Sequence, residues 1–470
     1  MATAANLEAL SIYRTTGDAV RAIEMLRSIS DEPEPEVALS LAQLTRVSAS
    51  TQHDLERTNE LLTQAVERSN AILREYDDAS QTHQRRLTPA DEERYQHTAQ
   101  VAETALNALA LLLLQEGHEQ RLESLLKSAG YRYRLADAII RYALPESAES
   151  VSLTAKEQQA LLRTSGRYVR AIDNALPAAV HESLRRWLGA HTSFWREHHY
   201  SVIPPSAYFS YLHELHPSSS SNNDSNDEDA ARAPPSGFEE VIAFVHSTVV
   251  KLFPKAAEAR YAEWWAHCRP HSSGHQLHFD SDDEGRGGVR NPIVSSVIFL
   301  DARVGGPTLV TNQPFGSRKL ADHGWLVSPS ENRLVVFDGS MLHGVIPGRG
   351  LSPLIQHQAP AGTDDGKRLT LMIAFWKDAV WRPSASEEPG ANRVFPSASS
   401  TRYSWHRAML APLPDDVRQQ MREHPEPIAV LPRAVAPVWQ DVDAHENARN
   451  LCSAASLRFL PEYSVCWQGF

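Results

Sequence analysis

The chain has 470 residues, a length at which two or three domains are expected rather than one. Its 42% hydrophobic and 22% charged residues are typical of a soluble globular protein, and its formal net charge of -12 argues against a nucleic-acid-binding surface. The three cysteines are widely separated and lack a CxxC pair, which excludes a disulfide scaffold and a cysteine-rich zinc module. Neither a secretory signal nor an apolar run of the roughly 20 residues needed to cross a bilayer is found. We therefore expect a cytoplasmic or nuclear protein without membrane contact.

Residues 1–150 are predicted to be helical. Apolar residues recur with the helical period in several stretches between positions 20 and 126, interrupted by prolines and by Gly117. The segment from Leu7 to Pro33 resembles a tetratricopeptide repeat, and Ala105 to Ala129 resembles a weaker copy at irregular spacing. The alternative is an unrelated helical bundle. Either stack of helices makes a docking surface for a protein partner more readily than it makes an active site.

A second predicted domain spans residues 160–382. Tyr168 to Asn174 is typical of a strand that runs into a turn, and helices are predicted from Leu176 to Leu188 and from Gly237 to Leu252. Residues 217–236 consist mostly of Ser, Asn, Asp, Glu and Pro, with almost no apolar side chain. Such a segment cannot bury enough surface to offset its ordering entropy, so we expect a disordered surface insertion.

The signal for β-strands begins at Tyr261, where short apolar runs are separated by Gly, Pro, Asp and Asn. The runs cover residues 261–269, 275–280, 293–300, 307–311, 324–327, 332–337, 342–346 and 368–376. Strands in this number, with no helix between them, predict two antiparallel sheets folded as a jelly roll, or double-stranded β-helix. The expected fold class is α+β, with an all-α region ahead of the jelly roll. Residues 383–470 are expected to be an irregular Pro-rich extension in which only Asp415 to Arg422 is helical over any length.

Three residues of the β-rich domain are candidate ligands of one metal ion. His278 and Asp280 are two positions apart, so their side chains project to the same side of an extended segment. His343 lies far enough downstream to return on another strand. Two imidazoles and one carboxylate on one face leave the opposite coordination positions open, as in non-haem iron(II) oxygenases. Of the 21 histidines only His278 has Asp at the second position after it, although this pattern is weak evidence by itself.

The last predicted strand carries a cation on an otherwise apolar face. Arg368 and Thr370 alternate with apolar residues, and a buried guanidinium is costly unless an anion meets it. A carboxylate-bearing ligand would satisfy this requirement, because arginine offers a bidentate fork and threonine adds a hydroxyl. The alternative is an internal Asp or Glu partner. Arg349, in a Gly-Arg-Gly loop, is a second candidate anchor.

The first strand of the β-rich domain leaves two interpretations open. Its alternate residues Tyr261, Glu263, Trp265, His267 and Arg269 share one face. They line a pocket, or Trp264 and Trp265 belong to the core. His271 and His275, just beyond this strand, are expected to be ordinary polar residues.

Several segments in a fixed order resemble those of iron(II)/2-oxoglutarate-dependent dioxygenases related to prolyl 4-hydroxylases. The order is His-x-Asp, a Gly-Gly turn, His-x-Val and Arg-x-Ser/Thr, and the matching segments are Leu277–Asp280, Gly305–Thr308, Arg333–Pro347 and Gly366–Thr370. The similarity covers residues from about 165 to 380. The chain departs from the family in the long stretch from Arg349 to Gly366, which separates the second histidine from the arginine.

The resemblance implies specific roles for these residues. His278, Asp280 and His343 would bind Fe(II), and Arg368 with Thr370 would hold the distal carboxylate of 2-oxoglutarate. Dioxygen and 2-oxoglutarate would be co-substrates, succinate and CO2 would be released, and a C–H bond would be hydroxylated. L-ascorbate is a further candidate cofactor. The primary substrate is a protein or a small molecule, and the helical region favours a protein by analogy alone.

Two functional hypotheses follow. The first is a 2-oxoglutarate-dependent dioxygenase with a helical N-terminal extension. The second is a catalytically inactive barrel that acts as a binding or scaffold protein through its helical region.

Overall fold

The computed structural model describes residues 2–29, 33–83, 88–143, 165–200, 208–215, 235–281, 290–301, 304–317, 319–351, 367–379, 393–396, 403–442 and 465–468. The predicted insertion at 217–236 lies outside these residues except for its last two positions. Ser236 is one of the two, and its hydroxyl accepts the backbone N–H of Glu239 at the start of a helix.

The N-terminal part of the described chain is mainly helical. Its helices are α1 (Ala2–Thr16), α2 (Ala19–Arg27), α3 (Pro35–Ser48), α4 (Gln52–His83), α5 (Pro89–Glu116) and α6 (Glu119–Ser128), each packed against the next. Local signals set several of the ends: the Asp18 carboxylate caps α2, Thr88 and Asp91 form a capping box at α5, and Gly117 ends α5 with a φ of 83°. The tetratricopeptide-like arrangement remains a prediction.

A short strand departs from the helical expectation for residues 1–150. After α6 the chain forms β1 (Tyr133–Leu135) and one turn of helix, α7 (Asp137–Ile140). β1 pairs with β15 (Trp439–Asp441) and with β16 (Cys466–Trp467) near the other end of the chain. A three-residue strand has no periodicity of its own, so its pairing with a distant segment decides its conformation.

All eight strands predicted from Tyr261 onward are present. They are β4 (Tyr261–Pro270), β5 (His275–His278), β6 (Val294–Phe299), β7 (Thr308–Pro314), β8 (Gly324–Val327), β9 (Arg333–Asp338), β10 (Met341–Val345) and β11 (Lys367–Trp376). They are preceded by β2 (Val169–Asp173), α8 (Ala178–Leu188), α9 (Ser193–Glu197), β3 (Tyr211–Glu214) and α10 (Gly237–Leu252). The predicted strand at 168–174 and both predicted helices therefore lie within two residues of their expected bounds.

Two sheets carry the β-rich part. The major sheet has the order β12-β3-β4-β11-β6-β9-β2-β13, and the minor sheet has the order β14-β8-β7-β10-β5. The additional strands are β12 (Arg393–Val394), β13 (Ile428–Val430) and β14 (Arg433–Val435). Helices beside antiparallel sheets agree with the α+β class, and the jelly-roll designation remains a prediction.

The segment after residue 382 contributes edges to these sheets. β13 extends the major sheet beside β2, and β14 extends the minor sheet beside β8. Two helices also occur there, α11 (Ser404–Met409) and α12 (Asp415–Arg422), and α12 has the bounds predicted from the sequence. This segment is thus more regular, where it is described, than the expected Pro-rich extension.

Each strand of the minor sheet has one face toward the helices and one toward the major sheet. Leu277, Leu309 and Leu342 are buried in one core with the apolar residues of α1 to α6. The residues that follow them, His278, Val310 and His343, lie on the opposite face because side chains alternate along a strand. Val310 packs there against major-sheet residues such as Phe299 and Phe337. A shift of register by one residue would bury polar groups against the helices, so apolar burial fixes the orientation of the two histidines.

The outer face of the major sheet is covered by helices α8 and α10. Val180 and Leu184 of α8 share a core with Phe238 and Val245 of α10 and with Trp264 of β4. This leaves the other face of the same sheet toward the minor sheet. No helix in the described part of the chain has the length and apolar character needed to cross a membrane.

Candidate metal centre and adjoining cavity

The three candidate metal ligands lie together at the edge of the minor sheet. His278 on β5 is directly opposite His343 on β10 in the antiparallel register, and Asp280 follows β5 by two residues. Nε2 of His278 lies 3.5 Å from Oδ1 of Asp280, and Nε2 of His343 lies 3.6 Å from the same oxygen. Among the described residues this is the one group of three or more His, Cys, Asp or Glu whose potential ligand atoms lie within 4.8 Å of one another.

Hydrogen bonds orient each of these side chains. Nδ1 of His278 donates to the carbonyl of Gln276 at 2.7 Å, and Nδ1 of His343 donates to the carbonyl of Met341 at 2.9 Å. A carbonyl can only accept, so these contacts fix the proton on Nδ1 and leave Nε2 of the neutral ring as a lone-pair donor. Such outer contacts are those that orient metal-ligating histidines.

The two oxygens of the Asp280 carboxylate likewise have different roles, one toward the protein and one toward the metal site. Its Oδ2 accepts the hydroxyl of Ser295 on β6 at 2.6 Å, while Oδ1 faces the two imidazoles. Its backbone carbonyl accepts the side-chain amide of Asn291 at 2.6 Å, which holds the segment after β5. Two nitrogens and one oxygen therefore converge, and the remaining polar atoms of the three side chains have protein partners.

The electrostatics of the group follow from burial and mutual charge. Burial alone would raise the pKa of Asp280, but the charge and hydrogen bonds of His343 and His278 hold it well below its usual range. Burial alone would lower the pKa of His278, but the hydrogen bond and charge of Asp280 raise it above its ordinary value. The low pKa of Asp280 keeps its carboxylate ionised, which is the form that ligates a metal ion.

Arg368 and Thr370, the candidate co-substrate ligands, line the same cavity as the triad. Arg368 is 4% exposed, its Nε has no hydrogen-bond partner, and its Nη1 reaches the carbonyl of Gly306 only at 3.5 Å. Burial, and then the charge of Arg269, lower the pKa of this guanidinium to about 10. Among the described residues no carboxylate forms an ion pair with it.

The predicted Gly-Gly turn is closely approached by Arg368 and by the backbone at Ile346. Gly305 has a φ of 84°, and a Cβ there would lie 2.9 Å from Cδ of Arg368. A Cβ on Gly306 would lie 2.1 Å from the carbonyl oxygen of Ile346. Only glycine meets both requirements, because it tolerates a positive φ and has no side chain.

Arg349, the second candidate anchor, contacts the helical region instead. Its Nη1 donates to the carbonyl of Tyr142 at 2.7 Å, and its backbone N–H donates to the Tyr142 hydroxyl at 3.1 Å. Arg349 does not line the cavity that contains the triad. Its role in the structure is to connect the loop after β10 to the N-terminal region.

The inward face of β4 supplies further cavity residues. Trp265, His267 and Arg269 line the cavity of the triad, opposite Met372, Thr370 and Arg368 of β11 in the strand register. Trp264, one residue away, is fully buried in the core of the major sheet. One face of β4 therefore lines a pocket, and the other face belongs to the core. His275 also lines the cavity, whereas the His271 side chain accepts the backbone N–H of Gly305.

A second cavity adjoins the first, and we call it the outer cavity because the exposed side chain of Tyr208 lines it. It shares Trp265, His267, Arg269, His275, His278 and Asp280 with the inner one. Its own wall contains the aromatic residues Tyr200, Tyr208, Phe209 and Trp376 together with the carboxylate of Glu263. Ser295 is absent from the sequence-based candidates, and only its position on β6 beside Asp280 assigns it to the site.

Comparisons with known proteins give distant structural similarities. No protein-family model and no curated protein matches the sequence. A prolyl-4-hydroxylase from Pseudomonas putida is 14% identical, with 49% of this chain and 100% of that chain covered and a TM-score of 0.27. A 2OG-Fe(II) oxygenase family oxidoreductase from Burkholderia pseudomallei is 13% identical over 52% of this chain and 95% of its own, with a TM-score of 0.26.

HygX from Streptomyces hygroscopicus with iron bound is 14% identical over 52% of this chain and 96% of its own, with a TM-score of 0.25. The same protein is similar in a form with nickel and 2-oxoglutarate bound, at 13% identity and a TM-score of 0.25. At these identities and scores no family is assigned from the similarities.

Proposed function

We propose that the protein is an Fe(II)- and 2-oxoglutarate-dependent dioxygenase that hydroxylates a C–H bond and releases succinate and CO2. The observation that carries the proposal is the presence, in one cavity, of three converging ligand atoms and a buried arginine that has no acidic partner among the described residues. A metal alone would account for the first feature and an anion alone for the second. A metal-chelating dicarboxylate accounts for both.

The donor set favours iron(II) or a similar divalent ion. Two imidazole nitrogens and one carboxylate oxygen on one side are the ligands of non-haem iron(II) oxygenases, in which the other positions remain open. The histidines and Asp280 would hold the ion, which, when bound, supplies the activation of dioxygen coupled to oxidation of the keto acid. Ser295 and the carbonyls of Gln276 and Met341 keep the three ligands in position.

Arg368 and Thr370 would anchor the distal carboxylate of 2-oxoglutarate. A guanidinium and a carboxylate form two parallel hydrogen bonds, and a low-dielectric surrounding strengthens that pairing. Both residues lie on the inward face of β11, where the apolar side chains of Val297, Phe299 and Met372 also line the cavity. We propose that the two sheets around this cavity form a double-stranded β-helix. L-ascorbate would act only in keeping the metal reduced.

The test separates binding from turnover. Protein with Mn(II) and 2-oxoglutarate is heated beside protein with each component alone, and bound ligands should stabilise by RT ln(1 + [L]/Kd), about 2.7 kcal/mol at 100 times Kd. We expect 2-oxoglutarate to raise Tm further only when the metal is present. With Fe(II), ascorbate and dioxygen, slow release of succinate should follow.

Two outcomes would remove the proposal. One is the absence of any Tm shift with Mn(II) and 2-oxoglutarate together. The other is a full shift in the His278→Ala protein, since that variant lacks one ligand of the proposed centre. Binding without succinate release from any tested substrate would favour the inactive-barrel alternative.

A further inference from the structure

The outer cavity contains a buried acid that has no basic partner in the part of the chain that the structure describes. Glu263 on β4 is 7% exposed and lines this cavity together with the triad residues His278 and Asp280. Its hydrogen-bond partners include two hydroxyl groups, that of Ser210 and that of Tyr208, which donates to Oε1 at 3.5 Å. No basic side chain of the described chain forms an ion pair with it. Hydroxyl donors are neutral, so the charge of the ionised carboxylate is not offset by a cation in the described chain, and burying such a charge is costly.

The walls around Glu263 are aromatic. Tyr208, Trp265 and Trp376 line the same cavity, and the rings of Tyr208 and Trp265 meet edge to face with centroids 6.3 Å apart. Tyr208 is 45% exposed, so this wall lies at the mouth of the cavity. Aromatic faces attract a cation through the ring quadrupole, and they do so most strongly where water is excluded.

The position of Glu263 relative to the metal centre follows from the strand register. Glu263 is opposite Ala374 on β11, and Ala374 is opposite Ser295 on β6, whose hydroxyl donates to Asp280. Two strand spacings separate Glu263 from Ser295, which is about 10 Å between backbones. The residue between them, Ala374, is fully buried.

Arg269 marks the opposite end of the same strand face. It lies six residues beyond Glu263, or about 20 Å along β4, and its guanidinium lies over the Tyr200 ring at 5.4 Å. It is also the neighbour of Arg368 in the register. Positive charge is thus concentrated where the 2-oxoglutarate carboxylate would bind, and negative charge is found at the entrance.

We propose that Glu263 and its aromatic walls bind a cationic nitrogen of the primary substrate, an ammonium or guanidinium group. The inference rests on the proposed function and defines the substrate class of that site. The separation of about 10 Å between the backbones of Glu263 and Ser295 would hold the cation several bonds away from the carbon that is oxidised. The net charge of -12 would assist the approach of a basic substrate.

Calorimetric titration of four small probes tests the inference. The probes are the N-acetyl N-methylamides of lysine, arginine, norleucine and glutamate, added to protein loaded with Mn(II) and 2-oxoglutarate so that no turnover occurs. We expect the lysine or arginine probe to bind at least about 10-fold more tightly than the norleucine probe, since a desolvated cation–π contact with a nearby carboxylate exceeds 1.4 kcal/mol.

Three variants locate the effect. Glu263→Gln keeps the shape and should abolish the preference for the cationic probes. Tyr208→Leu changes an exposed residue and should reduce the preference without affecting folding. Glu258→Gln makes the same charge change outside the cavity, where Glu258 pairs with Lys377, and should retain the preference.

Specific outcomes would overturn the inference. These are equal binding of the norleucine and lysine probes, tighter binding of the glutamate probe, or an unchanged preference in Glu263→Gln. If Mn(II) and 2-oxoglutarate fail to bind, the proposed function is wrong. The same titrations on protein without these ligands then still test the cation site, because its walls are protein side chains.

Discussion

The metal triad and the charged residues around it are buried polar groups that meet the cost of burial differently. Every nitrogen and oxygen of His278, Asp280 and His343 has a protein partner or faces another member of the group. Arg368 and Glu263 have no oppositely charged partner among the described residues. The first arrangement is satisfied before any ligand arrives, and the second is not.

This difference distinguishes a site whose geometry is preorganised from charged residues that a ligand is needed to neutralise. A self-satisfied triad keeps its geometry in the empty protein, because Asp280 is shared by two rings and held by Ser295. An unpartnered charge instead lowers the stability of the empty protein and raises affinity for the ligand that neutralises it. Removing a member of each class should therefore change the stability of the ligand-free protein in opposite directions.

The largest effect is expected at the shared carboxylate. Asp280→Ala should abolish measurable Mn(II) binding, and it should destabilise the ligand-free protein by about 1–3 kcal/mol because the buried Ser295 hydroxyl loses its acceptor. Calorimetric titration and urea unfolding measure the two effects. Asp322→Ala is the matched control, since Asp322 also contacts a histidine but on the exposed surface. Retention of tight Mn(II) binding by Asp280→Ala would contradict the assignment of the triad.

Arg368→Met should give the opposite change in stability. Removing a buried charge without a partner should stabilise the ligand-free protein, while affinity for 2-oxoglutarate falls by 2–5 kcal/mol, or roughly 30- to 5,000-fold. Mn(II) affinity should stay unchanged. Arg349→Met is the control, because that arginine donates to Tyr142. If only Arg349→Met lost 2-oxoglutarate affinity, the second candidate anchor would be the correct one.

Glu263 should make stability depend on pH. Burial raises the pKa of Glu263 from 4.5 to about 7. Folding therefore favours the protonated carboxyl. The stabilising contribution of that form is fully present below pH 4.5 and is lost as the pH rises through 7. Glu263→Gln cannot ionise, so it should lose less stability than the wild type between pH 5 and pH 8, by on the order of 3 kcal/mol. Urea unfolding at both pH values checks this, and an identical pH dependence in the two proteins would exclude an unpaired buried acid.

The smallest expected effect is at Ser295. Ser295→Ala removes one hydrogen bond to Asp280 and should weaken Mn(II) binding about 10-fold, the lower end of the range for residues that orient metal ligands. Ser296→Ala is the control, because the neighbouring hydroxyl donates to the carbonyl of Ile373. Equal Mn(II) affinity in both variants and the wild type would mean that the triad needs no support from β6.

Local signals made much of the fold predictable. Strands β4 to β11 are bounded by turn residues, and helix α10 begins at a capping box, so short windows of sequence identify them. β1 and β13 to β15 are three-residue strands without an internal pattern, and they were not predicted. Their conformations are set by pairing with segments that are distant in the chain.

The features of the candidate site can also be sorted into those set by local sequence and those set by tertiary contacts. The sequence by itself determined the spacing of His278 and Asp280, the alternation that aligns Arg368 with Thr370, and the order in which His343 follows, because each is a property of one strand or of chain order. Tertiary structure decided that His343 faces His278, that Ser295 holds Asp280, that Arg349 lies elsewhere, and that Glu263 is buried with no base near it among the described residues. These facts depend on sheet register and on which faces pack together, and both are fixed by contacts between residues far apart in the sequence.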